Sequence, residues 1–317
     1  MKVLFYQTAH PSTDDRIKYH QQVSLTEAGH QCLYAAAANE IKEQPDVVIC
    51  DTPLALWQAR KACGRKAFYV YDITEWYPSK KNMRNATWWL KPIKWCALVL
   101  ASMYAGCAAD AFIFGEYHKA LPFRTLFRWK RYIYLPYYPL LSYIKPTRPQ
   151  ALTKQVRLLY AGPKTKEKGY DRAQKVAQLC QELMPKVHIE LSAIEGLSFE
   201  DFCQEITKHD IFIDLRDDDF ENTRCLPIKL FYYMAGGRPV IFSDLKSIRH
   251  GVPEIVDNSL IKPNNIENAA KIICRYVSDK AAYLAVCKRN RQLAESKYNW
   301  DGQSEVFVRF IEDVTVQ

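Results

Sequence analysis

Paired cysteines are missing from this chain. Its ten Cys residues, at 32, 50, 63, 96, 107, 180, 203, 225, 274 and 287, stand singly, with no C-x-x-C pair and no Cys/His cluster at zinc-site spacing. A zinc module or a disulfide framework is therefore not expected, and dispersed thiols suit a reducing cytosol. Long apolar runs are missing too. The longest uncharged stretch, residues 95–109, holds fifteen residues before Asp110, short of the roughly twenty that a membrane-spanning helix needs. It reads as a buried or surface-docked helix. The opening MKVLFY runs straight into a polar loop, without the apolar core and cleavage site of a secretory signal, so a cytoplasmic protein is expected. No G-x-G-x-x-G follows a predicted strand, which counts against a nucleotide-dependent dehydrogenase or epimerase. Internal repeats and low-complexity tracts are not found.

Acid is scarce in one half only. The net charge of +9 lies in residues 1–150, where 20 Lys and Arg face 11 Asp and Glu, while residues 151–317 hold 24 of each. Within residues 80–148 there are twelve basic side chains and only two acids, Asp110 and Glu116, interleaved with Trp88, Trp89, Trp95 and Trp129. Such a stretch predicts docking on an anionic membrane face, peripheral on the inner leaflet of the plasma membrane, or else charges spread for solubility. Lys91 and Lys94 beside Trp88 and Trp95 read as one stripe, and Arg124, Arg128 and Arg131, spaced by four and three, as another. No nucleic-acid-binding module accompanies the charge, so nucleic acid is not an expected partner.

Length and patterning predict two α/β domains. With 317 residues and 48% hydrophobic content, the chain exceeds the size at which single cores usually split. KVLFY, PDVVICD, KAFYVYD and AFIF are short β-branched or aromatic runs separated by helical patterns, two of them ending in Asp. Strands of a parallel sheet deliver functional groups at that end. Residues 136–153 hold four prolines and read as a linker. VRLLYAG, VHIEL, DIFIDL and RPVIFS then alternate with helices, and SEVFVRFIEDV predicts a terminal helix. The expected domains are residues 1–150, 151–298 and a final segment 299–317.

Four sequence blocks carry chemistry. In NTRCLPIKLFYYMAGGRPVIFSDL, residues 222–245, a helix opens near Ile228 and breaks at Gly236-Gly237 before a strand. A helix N-terminus offers unpaired N–H groups and partial positive charge, and Lys229 adds a full one, so this turn can hold a diphosphate. LLYAGPKTKEKGYDRA puts Gly162, Lys164 and Lys168 after a domain's first strand, where a small residue lets the backbone approach a ligand. HPSTDDRIKYHQQVSLTEAGHQ and VYDITEWYP each follow a strand candidate in the N-terminal half.

In their order along the chain, the four blocks resemble the signatures of family 4 and related GT-B glycosyltransferases, among them P-x-K-L-F-E-Y-M-A-x-G-x-P-V-I. The resemblance implies two Rossmann-like parallel-sheet domains facing a cleft, with the final segment crossing back to the N-terminal domain. It also implies transfer of a sugar, with retention, from a UDP- or GDP-sugar to a glycan or lipid-linked acceptor. No metal or other cofactor is implied, and Asp217-Asp218-Asp219 reads as a solvated loop. Gly162, Lys164, Lys168, Asn222, Lys229 and Tyr232 would bind the donor, His10 and Glu75 would be catalytic, and Asp15, Arg16, Asp72 and Thr74 would face the acceptor. The chain also departs from the family. Thr74 stands where the family has His and cannot act as a base near neutral pH. Arg224 and Tyr232 stand where retaining members carry two glutamates. A non-catalytic nucleotide- or glycan-binding protein, or a partner subunit, is the alternative that these departures leave open. Charge growing on a departing diphosphate needs positioned cations and N–H dipoles, which this chain retains.

Overall fold

The computed structural model describes residues 1–255 and 259–315, and its contacts divide the chain into two compact units. The first comprises Met1–Tyr137 with the segment from Asp301 onward, the second Tyr138–Trp300.

In the first unit, β1 (Lys2–Tyr6), β2 (Gln31–Ala35), β3 (Val47–Cys50), β4 (Phe68–Ile73), β5 (Ala111–Phe114) and β6 (Arg131–Tyr134) form one parallel sheet in the order β2-β1-β3-β4-β5-β6. Helices cross over between strands, as parallel pairing requires. The apolar runs that read as strands are buried: every residue of β3 and β5 is out of solvent. Tyr6, Tyr69, Tyr71, Phe112, Phe114, Phe123 and Phe127 fill one face of the sheet with rings. The direction of winding reverses between β1 and β3, the switch point where open α/β sheets gather ligands. Register decides what stands there. Tyr6 pairs with Cys50 and Cys50 with Tyr71, so the next residues, Gln7, Asp51 and Asp72, stand side by side, Asp72 still within β4.

The helix Trp300–Asp313 supplies the last layer of this unit, with Phe307 and Ile311 fully buried. His30 Nε2 lies 3.0 Å from Glu312 Oε1, and Arg131 donates to the Asp313 carbonyl at 2.8 Å.

In the second unit, β7 (Gln155–Ala161), β8 (His188–Ile194), β9 (Ile211–Asp214), β10 (Val240–Ser243) and β11 (Leu260–Ile261) are again all parallel, in the order β11-β10-β9-β7-β8. The switch point here falls between β7 and β9. Helices Tyr170–Leu183 and Ile266–Ser278 pack aliphatic residues on one face of the sheet. Helix Ile228–Ala235 is buried almost throughout.

The proline-rich stretch that reads as a linker contains the boundary between the units, and parts of it are tied into the second unit. Ile144 is fully buried, its carbonyl accepts from Arg291, and the Thr147 carbonyl accepts from Arg238 at 3.1 Å. Proline fixes the backbone without needing its missing N–H, and two arginines supply the donors instead.

Helix Lys91–Ala108 projects much of its apolar surface into solvent. Residues 91–97 are exposed all round, Trp88 is 80% exposed, Ile93 64% and Leu100 69%; only Ser102, Ala105 and Gly106 are buried. Among the described residues no helix is long and apolar enough to cross a membrane. The stripe predicted for Arg124, Arg128 and Arg131 does not form. Helix Tyr117–Leu126 ends where Phe127 turns into the core beside Phe112, and Arg131 already lies in β6. Several other cations of this region are engaged: Arg124 donates to Tyr134 at 2.8 Å, and Lys130 donates to the Gly106 and Cys107 carbonyls at the end of the projecting helix.

Candidate functional site

At the switch point of the first unit, Asp51 organises the loop that follows β1. Its carboxylate is 2% exposed and accepts the backbone N–H groups of Thr8 at 3.0 Å, Ala9 at 2.9 Å and His10 at 3.1 Å. The His10 ring then folds back, with Nδ1 2.8 Å from Asp51 Oδ2. The Tyr34 hydroxyl donates to the His10 carbonyl and Tyr77 to the Asp51 carbonyl, closing the loop on both sides.

Beside it, Asp72 is the buried centre of a polar network. Tyr137 donates to Asp72 Oδ2 at 2.6 Å and Gln21 Nε2 donates to the same oxygen at 3.1 Å. Burial raises the Asp72 pKa, against the pull of Arg16 and these two hydrogen bonds. Arg16 stacks over Tyr137 at 5.4 Å and donates through Nε to Asp14 at 3.0 Å. Asp72 Oδ1, Gln21 Oε1, Tyr71 Oη and Thr74 Oγ1 are buried and find no hydrogen-bond partner among the described residues. Such groups carry a cost that a hydroxyl-bearing ligand or water would relieve. His10, Arg16, Asp51, Asp72 and Glu75 share one electrostatic neighbourhood, since Asp72 feels His10 while Tyr77 feels Asp51, Glu75, Asp72 and Arg16. Asp15 stands exposed at the start of the π-helical turn Arg16–Gln21, its carbonyl accepting from His20.

The second unit gathers cations at its own switch point. Lys229, at the start of helix Ile228–Ala235, reaches the end of β7 and donates to the Ala161 carbonyl at 2.5 Å. Burial lowers its pKa; Asp214 pulls back, while Arg216 and Lys168 push it down further. Arg216 is paired with Asp214 through Nε at 2.9 Å. Lys168 Nζ donates to Asn222 Oδ1 at 3.4 Å, and Asn222 is oriented in turn by Asp219, which accepts from its N–H at 2.8 Å. Two glycines make the approach feasible. Gly162 has φ +146° and faces Lys229, while at Gly169, φ +83°, an added Cβ would come within 1.9 Å of the Leu215 carbonyl oxygen. Only glycine fits there, because the loop carrying Lys168 passes hard against the end of β9.

No family model and no curated protein matches the chain. Solved structures do. Sucrose-phosphate synthase from Thermosynechococcus elongatus aligns over 99% of both chains with TM-score 0.71 at 12% identity. A glycosyltransferase from Rickettsia africae aligns over 99% of this chain and 98% of its own, with TM-score 0.68 at 11% identity. HepE of Anabaena, solved in complex with UDP, aligns over 99% of this chain and 100% of its own, with TM-score 0.64 at 11% identity. The fold is GT-B.

Within this GT-B chain, Gly162, Lys168, Asn222 and Lys229 come together. Lys164 is exposed, its ammonium 5.7 Å from the Tyr170 ring centroid. Tyr232 is buried, with its ring against Phe199 and Phe202 at 6.1 and 5.7 Å. Arg224 lies over the Phe220 ring at 3.7 Å. Of the three consecutive acids, Asp217 pairs with Arg172 and Asp219 caps the turn at Asn222, so the loop is held by ion pair and cap. Asp51, Asp214, Arg216, Gln21 and Tyr137 were not singled out from the sequence. Asp51 and Asp214 carried the signal of an acid closing a buried strand; Gln21 and Tyr137 carried none.

Proposed function

We propose that this protein transfers a sugar from a nucleotide diphosphate donor to a glycan or lipid-linked acceptor. The observation that carries the proposal is the gathering of Lys168 and Arg216 around Lys229, whose ammonium lies against the backbone of Gly162, with the N-terminus of helix Ile228–Ala235 beside them. Burying mutually repelling cations is costly, and an anion with two phosphates relieves it. As the bond to the sugar breaks, negative charge grows on that same diphosphate, so these cations bind the departing state more tightly than the intact donor. The uridine diphosphate seen in HepE makes a UDP-sugar the first donor to try. His10 and Glu75, with Asp72 and Arg16, form the acceptor side of the reading. The resemblance carries retention of configuration, which the anomeric signal of the product checks.

The acceptor's chemistry sets where the protein works. Trp88, Trp89, Ile93, Trp95 and Leu100 are exposed together on and beside one helix, next to Lys91 and Lys94. Interfacial tryptophans with flanking lysines favour an anionic bilayer surface, and docking there supports a lipid-linked acceptor.

The deciding experiment is a thermal-shift screen of the full chain with UDP, GDP, ADP and their sugar conjugates. A ligand that binds the native state raises the melting temperature by mass action. A shift with one nucleotide class and release of sugar from its conjugate support the proposal; a shift without turnover leaves a nucleotide-binding protein; no shift with any removes the donor site.

A further inference from the structure

Three tyrosines and one arginine meet at the outer edge of the first unit's sheet. Tyr132 and Tyr134 lie two residues apart in the edge strand β6, so both rings stand on one face, against Phe114. Tyr117, at the start of helix Tyr117–Leu126, lies beside them, its ring 24° from parallel with that of Tyr134 at 6.4 Å. Arg124, two turns further along this helix, sets its guanidinium among all three rings. The centroids of Tyr132, Tyr134 and Tyr117 lie 4.9, 5.7 and 5.9 Å from it, and Nη1 donates to the Tyr134 hydroxyl at 2.8 Å. Rings hold a guanidinium in place without neutralising it. No acid pairs with Arg124 among the described residues, and the groups that act most on its charge are these tyrosines. Tyr117 is 38% exposed and Tyr132 37%, with Leu121 exposed between Tyr117 and Arg124 on the helix. The result is a solvent-facing aromatic platform with one oriented, unneutralised cation in it.

We propose that this platform is a saccharide subsite that takes a sugar residue bearing a carboxylate. A sugar ring lays its apolar C–H face on an exposed tyrosine, whose hydroxyl end stays available for hydrogen bonds. The planar fork of Arg124 matches a carboxylate, and because the rings already orient it, less rotamer freedom is lost on binding. Position in the fold links the platform to the acceptor. Tyr134 is level with Phe114 and Phe114 with Ile73, so the backbone at Tyr134 runs two strand spacings, about 10 Å, from the end of β4 where Asp72 stands. Lys119, in the same helix as Tyr117 and Arg124, donates to the Thr74 carbonyl at 2.8 Å and ties that helix to the loop after β4. A glycan whose reacting end lies at the Asp72 network therefore has the platform within reach of its next residues. That the bound sugar belongs to the acceptor rests on the transferase reading given above; the binding site itself does not. A nucleic-acid strand also stacks on tyrosines, but its phosphates call for a track of cations. Here Arg124 is the cation among the rings, and Arg131 is turned to the Asp313 carbonyl.

The test is binding to the full chain, read by calorimetry and saturation-transfer NMR. The probes are tetramers of glucuronate, galacturonate and mannuronate, and the same tetramers with their carboxylates reduced to alcohols. At least one acidic tetramer is expected to bind, with its reduced counterpart weaker by about tenfold or more. Arg124→Gln should weaken the acidic tetramer by a similar factor, and Arg124→Lys, which keeps the charge but not the fork, should restore only part of the affinity. Tyr117→Ala, on the helix surface, should weaken acidic and reduced tetramers alike. UDP affinity should stay at the wild-type value in all three variants. The proposal is overturned by no binding of any acidic tetramer, by equal binding of acidic and reduced forms, or by wild-type affinity in Arg124→Gln or in Tyr117→Ala. Either variant decides alone if the other fails to fold. Tighter binding of an oligothymidylate than of any tetramer, lost in Arg124→Gln, would assign the platform to nucleic acid and overturn the proposal as well. If the tetramers bind and UDP does not, the saccharide site stands while the transferase reading fails; if UDP binds and the tetramers do not, the reverse holds.

Discussion

Lys229 Nζ stands 2.9 Å from the point where a Cβ on residue 162 would sit. The two positions, far apart in sequence, meet at one point. Gly162→Ala would place a side chain at φ +146°, a conformation costing roughly 1–3 kcal/mol, and would push the ammonium away. The expected outcome is a lower melting temperature together with UDP binding weakened about tenfold or more. Calorimetry and thermal denaturation of the one variant read both.

Lys229 should show opposite signs in stability and affinity. Its folded pKa is lowered, chiefly by burial, so below that pKa the folded state bears the cost of a desolvated charge. Lys229→Met is therefore expected to raise the melting temperature of the free protein near neutral pH, and the gain should fade as pH rises through the lowered pKa. Lys229→Ala and Lys168→Ala should each remove a charge-assisted contact worth roughly 1.5–3 kcal/mol from nucleotide binding. Proton uptake offers a further check. Above the lowered pKa, binding a diphosphate should return the proton to Lys229, so the calorimetric enthalpy should depend on the buffer's ionisation enthalpy in the wild type but not in Lys229→Met.

Asp72 is expected to be kept at a cost to stability. Burial raises its pKa, so the ionised form penalises the folded state above that pKa, and the penalty disappears as pH falls toward the ordinary Asp value of about 3.9. Asp72→Asn retains an oxygen for Tyr137 and Gln21. Chemical denaturation at pH 7 should find it at least as stable as the wild type, with any gain vanishing in acid, while turnover of a glycan acceptor falls.

Membrane docking is expected to depend on the projecting helix. Liposome sedimentation should show binding to anionic vesicles that weakens at high salt, and that is lost when Trp88, Trp89 and Trp95 are replaced by Ser. Equal binding to neutral vesicles, or none to either, would remove this part of the proposal.

The sheets were legible because parallel strands buried on both faces read as apolar runs: VVIC and AFIF could be little else. Gly162, Lys168 and Lys229 were legible through their blocks, which place them after β7 and at the head of a buried helix. What sequence could not carry was registration across strands. Asp51 and Asp72 lie twenty-one residues apart, and only the pairing of Cys50 with Tyr71 brings them level. Tyr137 reaches Asp72 from the end of its unit, across sixty-five residues, with no local pattern to announce it. Tyr232 was legible as part of a signature helix, but the packing of its ring against Phe199 and Phe202 was not. The proline stretch, read as a linker, holds the boundary between the two units, at Tyr137 and Tyr138, but its hydrogen bonds to Arg238 and Arg291, far along the chain, had no local signal.

The C-terminal helix has a consequence for synthesis. Phe307 and Ile311 complete a unit whose sheet is made from residues 2–134, so the portion translated first is finished last. The whole second unit, Tyr138–Trp300, leaves the ribosome before the missing layer does. A nascent chain therefore waits without the buried Phe307 and Ile311 side chains of its first unit, and at synthesis rates of about 5–20 residues per second that interval lasts on the order of ten seconds or more. Chaperone capture of stalled chains should concentrate on those ending before residue 300.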